Sequence, residues 1–185
     1  HPRTDSAVIV LIKDRSDRIL LGHQPIWPEG RFSTFAGFLE PGETFEQCVA
    51  REVLEESAVV VTELKYLGSQ PWPFPASIMI AFEAVTDNPE RAQGDGQEIT
   101  EVKWFSRAEL KAAAEDGSLL LPPSISVARK MIERWLGESV PGGQTDADPR
   151  DAPDDVVGEE SRIRHRTDAG DERGERPDDR NEPRE

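Results

Sequence analysis

Two apolar runs near the start of the chain, residues 7–13 and 19–24, flank the polar turn 14–17, a pattern that predicts a β-hairpin. Pro25, Pro28 and Gly30 then mark a loop, and residues 32–38 return to strand composition. Apolar spacing switches to a helical period after Thr44, which with Gln47 three positions on forms a capping box. Residues 59–67, 77–85 and 101–105 read as further strands, and 107–115 and 125–136 as helices, the last with Ile125, Val127, Ala128, Met131, Ile132, Trp135 and Leu136 at helical intervals. Mixed strands flanked by helices predict an α/β fold, a three-layer α/β/α sandwich with a mixed sheet.

The helix after Thr44 breaks its own pattern. Phe45, Cys48 and Val49 are expected to face a core, but the same stripe continues with Glu52 and Glu56, and Glu55 lies beside them. Carboxylates crowded on one helix face repel each other and lose hydration. Either the face is solvated and acidic, or a hard cation such as Mg²⁺ lies among the oxygens.

Charge narrows the classes. The formal net charge is −15, shared almost evenly between residues 1–137 and the much shorter 138–185. The second stretch has no aromatic residue and cannot bury enough apolar surface to offset chain entropy, so a disordered acidic tail is expected after a domain over 1–137. An acidic chain is not suited to general binding of nucleic-acid backbones. No apolar run approaches membrane-spanning length, so no membrane partner is expected. Cys48 is the one cysteine and reads as a small buried thiol. These features point to a soluble protein of a reducing compartment, the cytoplasm. The chain opens on His1, with no secretory signal after it.

A second feature is the run Ser69 to Ser77, with Pro71, Pro73 and Pro75 alternating with Gln70, Trp72, Phe74 and Ala76. Three prolines stiffen the backbone and remove ladder donors, which predicts a rigid exposed loop. Its aromatic faces and amide suit a flat heterocycle with polar edges; a tight structural turn with Trp72 and Phe74 in the core is the competing reading.

Gly37, Glu43, Arg51, Glu52, Val53, Glu55, Glu56 and Val59 together match the signature of the Nudix hydrolases, G-x5-E-x7-R-E-U-x-E-E-x-G-U, with Ala58 in place of the second glycine. The run SQPWPFPAS after it resembles the marker of the NADH pyrophosphatase (NAD-capped RNA hydrolase) branch, as do the opening HPRTD and the segment LLPPSISVARKMIE. The resemblance covers residues 1–137. It implies the same sandwich fold and hydrolysis of the diphosphate of NADH or NAD⁺ to a nicotinamide mononucleotide and AMP, with removal of NAD caps from RNA 5′ ends in some members. It implies Mg²⁺ or Mn²⁺ held by Glu52, Glu56, Glu98 and the backbone carbonyl of Ala36, with Glu55 or Glu98 taking a proton from water. Arg51 is expected to pair with one of these glutamates. Phe38, Gln70, Pro71, Trp72, Pro73, Phe74, Pro75, Ala76, Ser77 and Ala128 match positions lining the nucleotide site.

Some features depart from the branch. A single cysteine cannot form its four-cysteine zinc ribbon, and His1 stands where the branch has a substrate-contacting tyrosine. Members are dimers, so a homodimer is expected, weakened if the missing portion contributes to it. Two other readings stay open: a hydrolase of another nucleoside diphosphate derivative such as ADP-ribose, and a truncated nucleotide-binding remnant without turnover.

Overall fold

The computed structural model describes residues 3–73 and 76–141. His1, Phe74, Pro75 and the expected tail beyond residue 141 lie outside the described residues.

Strand β1 (Asp5–Asp14) is the axis of the molecule. Along one edge it runs parallel to β5 (Ser77–Thr86), in unbroken register from Asp5 opposite Ser77 to Asp14 opposite Thr86. Strand β4 (Val61–Trp72) closes that side of the sheet, antiparallel to β5. The other edge of β1 is divided. Its end pairs with β2 (Ile19–His23) through Ile12 and Lys13, and its beginning pairs with β3 (Phe35–Phe38) through Ala7 to Val10. Beyond β2 lies β6 (Glu101–Phe105). The sheet therefore forks beside β1.

Side-chain alternation along β1 builds two cores. Val8, Val10 and Ile12 pack with Cys48, Val49 and Val53 of helix α1 (Phe45–Ser57) on one face. Ile9 and Leu11 pack on the other with Leu110 and Ala114 of α2 (Arg107–Asp116) and Met131, Ile132 and Trp135 of α3 (Val127–Leu136). This is the three-layer α/β/α sandwich with a mixed sheet that the sequence predicts.

Three local expectations change. The stretch from Gln70 to Trp72 is not an exposed loop: it continues β4, with Gln70, Pro71 and Trp72 opposite Met79, Ile78 and Ser77 of β5. Pro71 is tolerated because β4 is an edge strand, where a missing N–H breaks no second ladder. Phe45, at the first helical position, is on the surface at 36% exposure rather than in the core. Packing also continues beyond Gly137. Val140 is buried, the Arg129 guanidinium donates to its carbonyl oxygen, and Lys111 pairs with Glu138 at 2.8 Å. Among the described residues no helix is long and apolar enough to cross a membrane.

Candidate active site

Helix α1 carries the acidic stripe. Its start is fixed by the capping box: Thr44 Oγ1 accepts from the Gln47 N–H at 3.2 Å, and Gln47 Oε1 accepts from the Thr44 N–H at 2.9 Å. Its end is set by Ala58, in the left-handed region at φ 56, whose N–H donates to the Leu54 carbonyl oxygen at 3.0 Å. Between these ends the stripe that begins with Cys48 and Val49 does turn inward as carboxylates: Glu52 and Glu56 are 7% and 6% exposed. Glu55 points outward, its side chain 61% exposed.

Close approach makes room for Glu52. A Cβ on Gly37 would stand 1.9 Å from the Glu52 carboxyl carbon, so only glycine lets β3 lie against this side chain. Arg51 fastens the surroundings. It binds both oxygens of Glu43, at 2.7 and 2.9 Å, and donates to Glu52 at 2.8 Å, to Glu55 at 3.2 Å and to the Phe38 carbonyl oxygen at 3.0 Å. One guanidinium thus ties the loop before α1, the end of β3 and two carboxylates together.

The electrostatics follow from this packing. Arg51 holds the Glu43 carboxyl down at about 2. Burial pushes Glu52 up to about 7, with Glu55 and Glu98 adding repulsion and Arg51 opposing both. Burial also raises Glu56 well above the usual carboxylate range, reinforced by Glu52, Glu98 and Asp95, while a backbone hydrogen bond from Ala36 works the other way. Cys48, fully buried, is pushed up to about 12 by burial and by Glu43 and Glu52, so it remains a neutral thiol.

A cavity of about 380 Å³ opens beside the fork in the sheet. Ala36, Phe38, Glu56 and Glu98 line it, together with Ala7 and Ile9 of β1 and Met79 of β5. Glu52, Glu55 and Arg51 are not among its lining residues. Gln70 lies elsewhere, donating through Nε2 to the Ile125 carbonyl oxygen at 3.0 Å. Pro71 and Trp72 are strand residues, Pro73 and Ala76 flank the hairpin end, Ser77 is buried beside Asp5, and Ala128 is buried in the core under α3. None of these lines the cavity.

Sequence reasoning missed part of the wall: Gln24, Pro25, Ile26 and Trp27 from the loop after β2, and Thr34 and Gln97. Thr34 lies two positions before Ala36, so strand parity could have found it. Trp27 could have been noticed as an aromatic in a proline-bearing loop.

The donor set fits a hard dication. Glu56 Oε2 is buried without a hydrogen-bond partner among the described residues, in a region that repels a further negative charge. Carboxylate oxygens are the natural ligands of Mg²⁺ and Mn²⁺. Among the described residues, however, no three acidic, histidine or cysteine side chains are already gathered closely enough to hold an ion. Glu52 is instead turned toward Arg51, which offsets the mutual repulsion of the carboxylates.

Residues 2–123 match the NUDIX domain family model. The chain is 50% identical over 142 residues to the NAD-capped RNA hydrolase NudC of Mycobacterium bovis (strain BCG / Pasteur 1173P2), covering 72% of this chain and 45% of that protein. It is 41% identical over 138 residues to the NAD-capped RNA hydrolase NudC of Vibrio cholerae, covering 75% of this chain and 48% of that one. The chain thus spans about half the length of these curated relatives. Among solved structures, a NUDIX hydrolase from Nitrosomonas europaea superposes with a TM-score of 0.56 at 24% identity, over 77% of this chain and 79% of that one, a likeness of fold. The chain belongs to the Nudix family, and its sequence resemblance within it is to the NAD-capped RNA hydrolase branch.

Proposed function

We propose that this chain hydrolyses the diphosphate bond of NADH and NAD⁺, releasing AMP and the matching nicotinamide mononucleotide. The observation that carries the reading is the cavity in which Ala36, Phe38, Glu56 and Glu98 meet: an aromatic ring for a base, beside carboxylates for a charged diphosphate. The SQPWPFPAS run and the two NudC relatives support this substrate class over other Nudix substrates. The same chemistry would remove an NAD cap from an RNA 5′ end.

Glu52, Glu56, Glu98 and the Ala36 carbonyl would hold Mg²⁺ or Mn²⁺. The ion, when bound, supplies charge neutralisation of the diphosphate oxygens and of the leaving phosphate. The protein's own part is to orient and to move a proton. Phe38 offers a stacking face at the cavity wall. Water adds to phosphorus as the bridging P–O bond breaks, and its proton needs an acceptor. Glu98 lines the cavity and Glu55 does not, so Glu98 would be the better placed acceptor of that proton. Arg51 contacts Glu43, Glu52, Glu55 and the Phe38 carbonyl and acts as a positioning residue.

The test is NADH hydrolysis with Mn²⁺ and Mg²⁺, following AMP and reduced nicotinamide mononucleotide by chromatography, with ADP-ribose in parallel. Metal-dependent release of both products, faster than ADP-ribose turnover, is expected. Preference for ADP-ribose would move the assignment to another Nudix substrate. Glu56→Gln should lower kcat by at least about 100-fold with the fold intact by circular dichroism; activity above about a tenth of wild type would remove Glu56 from the site.

A further inference from the structure

Glu98 enters the cavity from a short segment between β5 and β6 that belongs to neither helix nor strand. Asp95 is what shapes that segment. Its Oδ1 accepts the N–H of Gln97 at 2.9 Å, of Glu98 at 3.0 Å and of Ile99 at 2.8 Å, and its Oδ2 lies 3.3 Å from the Glu98 N–H. Three consecutive amides converge on one carboxylate, each bond strengthened by the charge. Gly96, at φ 76, turns the chain and donates to the Ile99 carbonyl oxygen at 3.0 Å. Gly94 permits the two arms to close, because a Cβ there would stand 2.2 Å from that same oxygen. The far end is anchored: Ile99 is buried in the α1-side core, and the Thr100 N–H donates to the His23 carbonyl oxygen at 2.9 Å. The backbone on either side of Glu98 is therefore fixed by Asp95 on one flank and by the core on the other.

We propose that Asp95 is a positioning residue of the active site: through three backbone amides it presents Glu98 to the cavity that also holds Glu56. The proposal rests on the reading of Glu98 as a metal-site carboxylate. An Asp confined to loop stability would lower the melting temperature on removal and leave metal affinity alone. A positioning Asp acts through Glu98, so its removal weakens metal binding and adds nothing once Glu98 has lost its charge. Asn keeps the Oδ1 acceptor at the same reach, so the role survives the loss of the carboxylate charge.

The experiment measures Mn²⁺ affinity by electron paramagnetic resonance of the free ion, and AMP release from NADH, for wild type, Asp95→Ala, Asp95→Asn, Glu98→Gln and the Asp95→Ala/Glu98→Gln pair. Asp95→Ala is expected to weaken Mn²⁺ about 10-fold and lower kcat by a similar factor, with the KM for NADH within about 3-fold. Asp95→Asn is expected within about 3-fold of wild type, and Asp95→Ala should add no further loss to Glu98→Gln. If Asp95→Ala fails to fold, Asp95→Ser keeps a shorter acceptor and should weaken Mn²⁺ about 3-fold. Equal Mn²⁺ affinity in wild type and the Asp95 variants, including no binding by any of them, overturns the proposal, as does full additivity with Glu98→Gln. The expected order of Mn²⁺ affinities without AMP release from wild type would sink the NADH reading and leave the role of Asp95 standing.

Discussion

Two residues sit in environments that do not suit them, and each gives a measurable outcome. Ala58 ends α1 at φ 56, where a Cβ is strained and glycine is the common residue. Ala58→Gly should therefore stabilise the fold by about 1 kcal/mol, read as a higher midpoint in urea unfolding with an unchanged slope. An unchanged midpoint would mean that the gain in unfolded-chain entropy cancels the relieved strain, and a lower one that it outweighs it. Thr34 is the second case. It is 8% exposed, lines the cavity, and its Oγ1 has no hydrogen-bond partner among the described residues. Valine keeps the shape and removes a desolvated hydroxyl, so Thr34→Val should raise stability by about 1 kcal/mol. A lower midpoint in urea unfolding of Thr34→Val would show that the hydroxyl has a bonding partner in solution.

Among the elements, the junction of β3 with α1 carries the most consequence. Gly37 lets the strand lie against the Glu52 carboxylate, and a methyl group there must push the side chain aside. Gly37→Ala should cost about 1–3 kcal/mol of stability and raise the Mn²⁺ concentration for half-maximal activity by about 10-fold. Metal activation like that of wild type would show that Glu52 has an equally good alternative position. This junction was readable in advance, because a capped helix whose apolar stripe turns acidic is a local pattern. The hairpin was readable for the same reason. The end of β4 was not: prolines at 71 and 73 look like a stop, and only the neighbour arrangement of the sheet makes Pro71 an edge residue. Nor was the cavity wall from Gln24 to Trp27, because its meeting with Glu56 and Glu98 depends on the pairing of β1 with β3, which lies outside the local hairpin. Phe45 misled in the opposite way, matching the helical period but lying at the helix's first position, where it stays at the surface.

For the whole molecule, the buried carboxylates couple stability to pH in two opposite senses. Glu43 is held at about 2 by Arg51, below its ordinary 4.5, so the unfolded chain binds its proton more readily. Its contribution is complete above about pH 4.5 and is lost as pH falls toward 2. Glu52 is displaced the other way, to about 7, so in that interval the folded protein holds the extra proton. Stability must then fall as pH rises from about 4.5 to 7, where Glu52 is forced to ionise inside the protein, and Glu56 extends this loss upward. In the presence of a chelator, the melting temperature should therefore peak near pH 4–5 and drop by about 5 °C by pH 8. A divalent metal held by the ionised carboxylates would add stability that grows with the logarithm of its free concentration above its dissociation constant, so Mn²⁺ should raise the melting temperature more at pH 8 than at pH 5. Glu52→Gln removes one titrating group from this balance and should flatten the fall between pH 5 and 7. Calorimetric scans across pH, with chelator and with Mn²⁺, would test all three slopes. A chelated wild type whose melting temperature climbs steadily from pH 5 to 8 would show that Glu52 ionises without penalty, and that the acidic stripe on α1 is better solvated than its burial implies.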